Sequence, residues 1–141
     1  MAGLVQATNG DFYGTTAQGG VNGFNGGTVF KITPSGTLTT LYSFCSQGEC
    51  ADGEYPDAGL VQDTHGDFYG TTYFGGANGD GTVFSLYAGL GPFVKTQPIS
   101  GKVGEVVDIL GTDLTGAISG MVQVVTPSGT LSSNVPFRVL P

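Results

Sequence analysis

The sequence predicts an all-β protein in which about two four-stranded sheets repeat and are followed by a partial immunoglobulin-like β-sandwich. The heptapeptide GDFYGTT occurs twice, at residues 10–16 and again at residues 66–72. Glycine supplies 26 of the 141 residues, against roughly 7% in ordinary proteins. These glycines recur in phase with aromatic and β-branched residues, which is typical of tight turns between short strands.

The repeated unit extends well beyond the heptapeptide. GLVQATNGDFYGTT begins at Gly3 and GLVQDTHGDFYGTT begins at Gly59, and the two segments continue to GGTVFKIT and DGTVFSLY. The loop before TVF is two residues shorter in the second copy. A period slightly above 50 residues is close to that of kelch units, so the repeat favours a propeller.

Four short strands are predicted in the first unit: GLVQ, DFYGTT, TVFKIT and TLTTLYSF. Asn9-Gly10 and His65-Gly66 are expected to supply the positive φ of tight hairpins, and Pro34 begins a further turn. The result is a four-stranded antiparallel meander, which is the blade of a β-propeller. Alternation places Phe12 and Gly14 on one face, where Gly14 is expected to allow close approach by a neighbouring sheet.

Composition and turn signals divide the chain into four segments. These are a first repeat at 2–44, an inter-blade loop at 45–58, an incomplete second repeat with its linker at 59–91, and a different module at 92–141. The second repeat lacks a fourth strand before the Gly/Pro-rich segment AGLGPFVKTQP. Beyond it, the strands VVDILG, MVQVVT and VPFRVL, with a second TPSGTL turn, predict the partial sandwich.

Both modules resemble known families. The units GLVQATNGDFYGTT…GGTVFKITPSGTLTTLYSF and GLVQDTHGDFYGTT…DGTVFSLY resemble the tandem GloVer (Gloeo/Verruco) repeats of large bacterial exported proteins. The segment from Pro98 to Leu114 resembles the opening of an IPT/TIG domain, an immunoglobulin-like module of bacterial surface proteins. The repeats of the first family have no catalytic residues to carry over.

The resemblance implies a non-catalytic segment of an exported repeat protein with a scaffold or surface-interaction role, located outside the cell or on its surface. The alternative is a carbohydrate-binding or carbohydrate-processing propeller. Fewer than two blades and half a sandwich are expected to need completion, either by the rest of a longer repeat protein or by self-association through open sheet edges. A surface glycan or a protein is the expected ligand, and no cofactor is expected.

Charge and hydropathy exclude two classes of partner. Four Lys or Arg residues face eleven Asp or Glu residues, giving a formal net charge of −7. Such a surface repels phosphate backbones and anionic lipid, so neither nucleic acid nor a membrane is expected to bind. No apolar run approaches the roughly 18 residues of a membrane span, and a signal peptide is expected only upstream of this chain.

Cys45 and Cys50 lie in the loop between the two units, in the sequence CSQGEC. A disulfide there would close a six-residue loop and contribute about 2 kcal/mol. The alternatives are two free thiols, or a zinc site completed by His65 and an acidic residue. A single histidine and a spacing other than C-x2-C favour the disulfide.

Three further patterns have a functional and a structural interpretation. The acidic residues around the loop could serve glycoside hydrolysis or form a solvated face: Glu49, Asp52, Glu54, Asp57 and Asp63. Asn78 and Asp80 could bind calcium or form a hairpin turn, which is favoured. The aromatic residues could stack on sugars, but at strand spacing they are expected to form the core: Phe12, Tyr13, Phe30, Tyr42, Phe44, Phe68, Tyr69, Tyr73, Phe74 and Phe84.

Overall fold

The computed structural model describes residues 2–23, 26–97, 108–111, 120–126 and 129–137. The first repeat forms one antiparallel sheet of β1 (Val5–Gln6), β2 (Phe12–Thr16), β3 (Thr28–Ile32) and β4 (Leu38–Ser43), paired in chain order. The second repeat forms a three-stranded sheet of β5 (Val61–Gln62), β6 (Phe68–Thr71) and β7 (Val83–Leu86). The predicted meander is confirmed, and within the described residues the second repeat has no fourth strand.

The hairpin turns share one hydrogen-bond pattern. The N–H of Gly10 donates to the carbonyl of Ala7 at 2.9 Å, and the N–H of Gly36 donates to that of Thr33 at 2.8 Å. Gly10 and Gly36 have φ of 86° and 91°. This is a turn followed by one left-handed residue, so only the glycine needs positive φ. The predicted positive φ is therefore supplied by the glycine of each pair, Gly10 and Gly66, and not by Asn9 or His65.

Side chains from the same sheet occupy the space next to the strand glycines Gly14 and Gly70. A Cβ added at Gly14 would lie 2.6 Å from Leu4 Cδ2 and 3.1 Å from Phe30 Cζ. At Gly70, the corresponding side chains of Leu60 and Phe84 take the same place. The expectation that a neighbouring sheet approaches at these glycines is therefore wrong, because the adjacent strands of the same sheet already cover them.

The buried apolar side chains that the structure describes form one core between the two sheets. Its buried members come from both repeats: Ala7, Tyr13, Val29, Phe44, Leu60 and Phe68. Partly buried apolar side chains of β7 and of the segment after it, including Phe84 and Leu90, pack against this cluster. The two repeats therefore share one core.

The linker at 45–58 is hydrogen-bonded to the glycine-rich loops of both repeats. The N–H of Tyr55 donates to the carbonyl of Gly26 at 3.2 Å, and Glu54 and Phe74 exchange two backbone hydrogen bonds at 2.9 and 3.2 Å. A 3₁₀ turn, Gly48–Cys50, ends at the second cysteine of the disulfide. The linker thus holds the two repeats together at the end of the core that bears these loops.

Two antiparallel pairs follow the repeats. β8 (Val94–Gln97) pairs with β9 (Asp108–Gly111), and β10 (Gly120–Thr126) pairs with β11 (Gly129–Phe137). Neither β8 nor β11 pairs with β7, so within the described strands the second sheet stays three-stranded. Much of the IPT/TIG-like motif, residues 98–107 and 112–114, lies outside the described residues.

Candidate functional site

The two faces of each repeat carry different side chains, and the candidate functional surfaces are faces of these sheets. We call Tyr face the side of a sheet that bears Tyr13 in the first repeat and Tyr69 in the second. We call Phe face the opposite side, which bears Phe12 or Phe68. Side chains alternate along a strand, so Thr15 and Thr71 lie on the Tyr face. Cross-strand partners share a face. Val29, which pairs with Thr15, and Val83, which pairs with Thr71, therefore also lie on the Tyr face.

Burial of these faces is inverted between the repeats. On the Tyr face, Tyr13 and Val29 are 2% and 1% exposed, whereas the equivalent Tyr69 and Val83 are 42% and 79% exposed. On the Phe face the order reverses, since Leu60 is 4% exposed while the equivalent Leu4 is 55% exposed. The Tyr face of the first repeat therefore packs against the Phe face of the second.

Aromatic contacts join the two covered faces. The rings of Tyr13 and Phe68 stack with centroids 4.3 Å apart, and Phe44, just after β4, packs edge-on against Phe84 at 4.9 Å. Thr15 Oγ1 also donates a hydrogen bond to the carbonyl of Ala58 at 3.1 Å. The interface is thus an aromatic core with a polar contact beside it.

The remaining two faces are open. The Tyr face of the second repeat exposes four large apolar side chains: Val61 65%, Tyr69 42%, Val83 79% and Tyr87 79%. On the Phe face of the first repeat, Leu4 and Leu38 are 55% and 59% exposed. These two faces therefore expose large apolar side chains that the covered faces bury.

Sequence reasoning missed these faces as functional surfaces. Phe12 and Tyr13 are neighbours along β2, so both sides of the strand carry an aromatic ring. Strands with apolar residues on both faces are typical of sheets that are covered on both sides. That pattern, present in both copies, was the available signal.

Asp52 organises the linker between the two repeats. Its carboxylate accepts hydrogen bonds from the backbone and hydroxyl of Ser46 at 3.0 and 2.8 Å, from the hydroxyl of Tyr42 at 2.8 Å and from the N–H of Gln47 at 3.1 Å. Burial alone would raise the pKa of Asp52, but these hydrogen bonds outweigh it and lower the pKa from 3.8 to about 2. This predicted catalytic candidate is engaged in fixing the loop.

Asp63 has a similar role in the turn between β5 and β6. Its Oδ1 accepts the N–H groups of His65, Gly66 and Asp67, each at 3.0 Å. Desolvation would raise the pKa of Asp63, but hydrogen bonds, with those from Asp67 and His65 the strongest, lower it below 3.8. The single histidine lies in a turn, where its Nδ1 is 3.4 Å from Asp63 Oδ2.

The predicted disulfide between Cys45 and Cys50 is present. In the described part of the chain, the side chains close enough to share a metal ion are those two cysteines and Glu54, and His65 is not among them. Because oxidised sulfurs are not thiolate ligands, this arrangement does not fit the zinc alternative.

The remaining acidic and calcium candidates lie in irregular segments. Glu49 lies in the 3₁₀ turn with φ of 56°, and Asp57 is exposed in the linker. Gly79 and Gly81, which flank Asp80, have φ of 79° and 88°. The N–H of Gly81 bonds to the carbonyl of Gly75 at 2.9 Å, so the NGDG segment is a glycine-dependent turn.

Two smaller features complete the site. A cleft of about 240 Å³ lies between the repeats, lined by residues that include Tyr42, Asp52 and Phe84. It is smaller than the roughly 300–1,000 Å³ of ordinary ligand pockets.

Tyr55, Tyr73 and Phe74 form an aromatic cluster, with Phe74 6.0 Å from Tyr55 and 4.5 Å from Tyr73 between ring centroids. Tyr73 and Phe74 are 69% and 47% exposed.

An all-β chain whose two similar sheets pack front to back is a tandem-repeat protein. The chain belongs to the Gloeobacter/Verrucomicrobia repeat family, whose profile matches residues 1–131. No curated protein and no solved structure matches it. The family match runs across residues 92–131, and no comparison supports an IPT/TIG domain there. Among the described residues, no helix has the length and apolarity needed to cross a membrane.

Proposed function

We propose that this chain is a non-catalytic segment of an exported bacterial repeat protein, in which the repeats are adjacent propeller-like blades with a scaffold or surface-interaction role. The observation that supports this proposal is the packing of the Tyr face of one repeat on the Phe face of the next. Propellers are built by radial repetition of four-stranded sheets, so each blade covers one side of its neighbour.

The path of the linker supports this arrangement. It leaves β4, the last strand of the first repeat, and leads to β5, the first strand of the second. The segments just before the first strands of the two repeats adjoin each other, because a Cβ added at Gly59 would be 3.7 Å from backbone atoms of Gly3. The Cys45–Cys50 disulfide fits an exported protein, since such bonds persist in oxidising compartments.

The scaffold role predicts that the two repeats unfold as one cooperative unit without catalytic activity. Hydrogen exchange should show that Phe68→Ala lowers the protection of β2 and β6 together. A panel of chromogenic glycosides should give no turnover. Turnover that disappears in both Asp52→Asn and Glu54→Gln would contradict the non-catalytic role.

The aromatic cluster of Tyr55, Tyr73 and Phe74 favours carbohydrate binding as a second candidate. Its exposed rings adjoin Glu54, whose backbone pairs with that of Phe74, so flat apolar faces lie near a polar group. A glycan array should then show binding that Tyr73→Ala and Phe74→Ala abolish. Tyr87→Ala is the control, because Tyr87 is also an exposed aromatic residue, 79% against 69% for Tyr73, but lies after β7 on the Tyr face.

A further inference from the structure

We infer that the open Tyr face of the second repeat binds the open Phe face of the first repeat in another copy of this chain, so that copies associate head to tail. The two open faces correspond to the two surfaces already joined between the repeats within one chain. The second copy would thus extend an existing interface by one more unit.

The Tyr faces of the two repeats match residue for residue. The covered Tyr face of the first repeat carries Val5, Tyr13, Thr15, Val29 and Lys31, and the open one of the second carries Val61, Tyr69, Thr71, Val83 and Ser85. Among these positions only the last differs, and just after β7 the open face also carries Tyr87, where the first repeat has Thr33. The open face therefore repeats most of the apolar surface that already packs on Phe68 within the chain.

The Phe faces also match across the three strands that both sheets have, where only Ile32 and Leu86 differ, and β4 adds Leu38 to the open one. The covered one carries Leu60, Gln62, Phe68, Gly70, Phe84 and Leu86, and the open one carries Leu4, Gln6, Phe12, Gly14, Phe30 and Ile32. In both, a leucine and a phenylalanine from neighbouring strands lie over the strand glycine. The surface that would receive the Tyr face is thus preformed.

The interface between copies is expected to be weaker than the one within the chain. Phe44, which contacts Phe84 from the end of β4, has no counterpart in the described part of the second repeat, whose sheet has three strands. The formal net charge of −7 also makes copies repel each other. Since salt screens that repulsion, association should strengthen as ionic strength rises.

Because the two faces differ, the interface is heterologous, and a pair of copies keeps one free Tyr face on one copy and one free Phe face on the other. Blocking one face of a copy should leave its other face active. Val83→Arg removes the Tyr face of the second repeat, and Leu4→Arg removes the Phe face of the first. Arginine is chosen because it reduces the net negative charge, so a loss of association cannot come from added repulsion.

Light scattering with size-exclusion chromatography should be performed from about 10 µM to about 1 mM, the range in which small, weak interfaces associate. The wild-type mass should rise above 14.3 kDa with concentration, whereas each variant alone should stay at 14.3 kDa. An equimolar mixture of the two variants should reach twice the mass of one chain and no more. Val21→Arg is the control, since Val21 is 89% exposed in a loop outside both faces, and it should behave as wild type.

Other outcomes overturn the inference. A wild-type chain that stays monomeric throughout has no such interface. Association of Leu4→Arg alone would indicate pairing of two Tyr faces, and association of Val83→Arg alone would indicate pairing through strand edges or Phe faces. If either variant fails to fold, as judged by circular dichroism, Val61→Arg and Leu38→Arg replace it on the same faces, with side chains 65% and 59% exposed.

Discussion

The ring of Tyr13 lies on the ring of Phe68, with centroids 4.3 Å apart and planes inclined by 25°. Both residues belong to the same heptapeptide, but they occupy adjacent positions in it. Because a shift of one residue along a strand changes the face, the two copies present opposite sides to each other. Front-to-back packing follows from this relationship, and it leaves one face of each repeat open.

Alanine substitutions in the two copies should therefore have unequal effects. Phe68→Ala should lower the free energy of unfolding by about 3–5 kcal/mol, because the side chain is fully buried between the sheets. Phe12→Ala removes the same side chain from the same heptapeptide and should cost less than half as much. Tyr13→Ala and Tyr69→Ala should show the same inequality in urea unfolding. Equal losses at Phe12 and Phe68 would contradict the inverted burial.

Gly27 should tolerate no side chain. Its φ is 80°, and an added Cβ would contact the carbonyl of Thr16 and lie 2.5 Å from Pro56 Cδ. Gly27→Ala should therefore destabilise the chain by about 2–4 kcal/mol, from the left-handed backbone together with overpacking. Gly10→Ala is the control, since Gly10 has φ of 86° with nothing within 4 Å. Thermal unfolding checks this, and similar losses at both sites would refute the steric argument.

Asp52 should make stability depend on acidic pH. Its pKa is lowered from 3.8 to about 2 in the folded chain, so its contribution is fully present above 3.8 and is lost as pH falls toward about 2. Asp52→Asn should cost about 1–2 kcal/mol above that window, as expected for lost charge-assisted hydrogen bonds, and little below it. Asp80→Asn removes the same charge from the loop before β7. A pH dependence that both variants remove equally would show that Asp52 has no special role.

The disulfide should stabilise the linker. Four non-glycine residues with positive φ lie in this segment: Cys45, Glu49, Cys50 and Tyr55. Such backbone persists only where surrounding structure holds it. Reduction should lower the free energy of unfolding by about 2 kcal/mol on the chain-entropy estimate. The double variant Cys45→Ser/Cys50→Ser should be equally destabilised and insensitive to reductant. A wild-type chain unaffected by reductant would argue against a stabilising disulfide.

The strands of the repeats could be predicted because their signals are local. Turn residues such as Pro34, Gly10 and Gly36 mark the ends of runs rich in β-branched and aromatic residues, and the strands occur between them. The disulfide could be predicted equally well, since the spacing of the two cysteines and the single histidine favour a disulfide over a metal site. These features depend on residues close together in the chain.

The packing of the repeats could not be predicted in the same way. Phe12 and Tyr13 give β2 an apolar residue on each face, so alternation does not tell which face meets the other sheet. The prediction for Gly14 was wrong for a related reason, since the surroundings of Gly14 depend on where Leu4 and Phe30 lie across the sheet. The role of Asp52 also could not be predicted without the fold, because the distances to Tyr42 and Ser46 decide whether its carboxylate fixes a loop or serves catalysis.

The front-to-back packing of the repeats is tested most directly by two double-mutant cycles. In urea unfolding, the cycle between Tyr13→Ala and Phe68→Ala should give a coupling energy of about 0.5–1.5 kcal/mol, as expected for a buried aromatic pair. The cycle between Phe12→Ala and Tyr69→Ala, the same residue types on the open faces, should give none within error at a protein concentration low enough to exclude association. Coupling confined to Phe12 and Tyr69, with none between Tyr13 and Phe68, would contradict the packing described here.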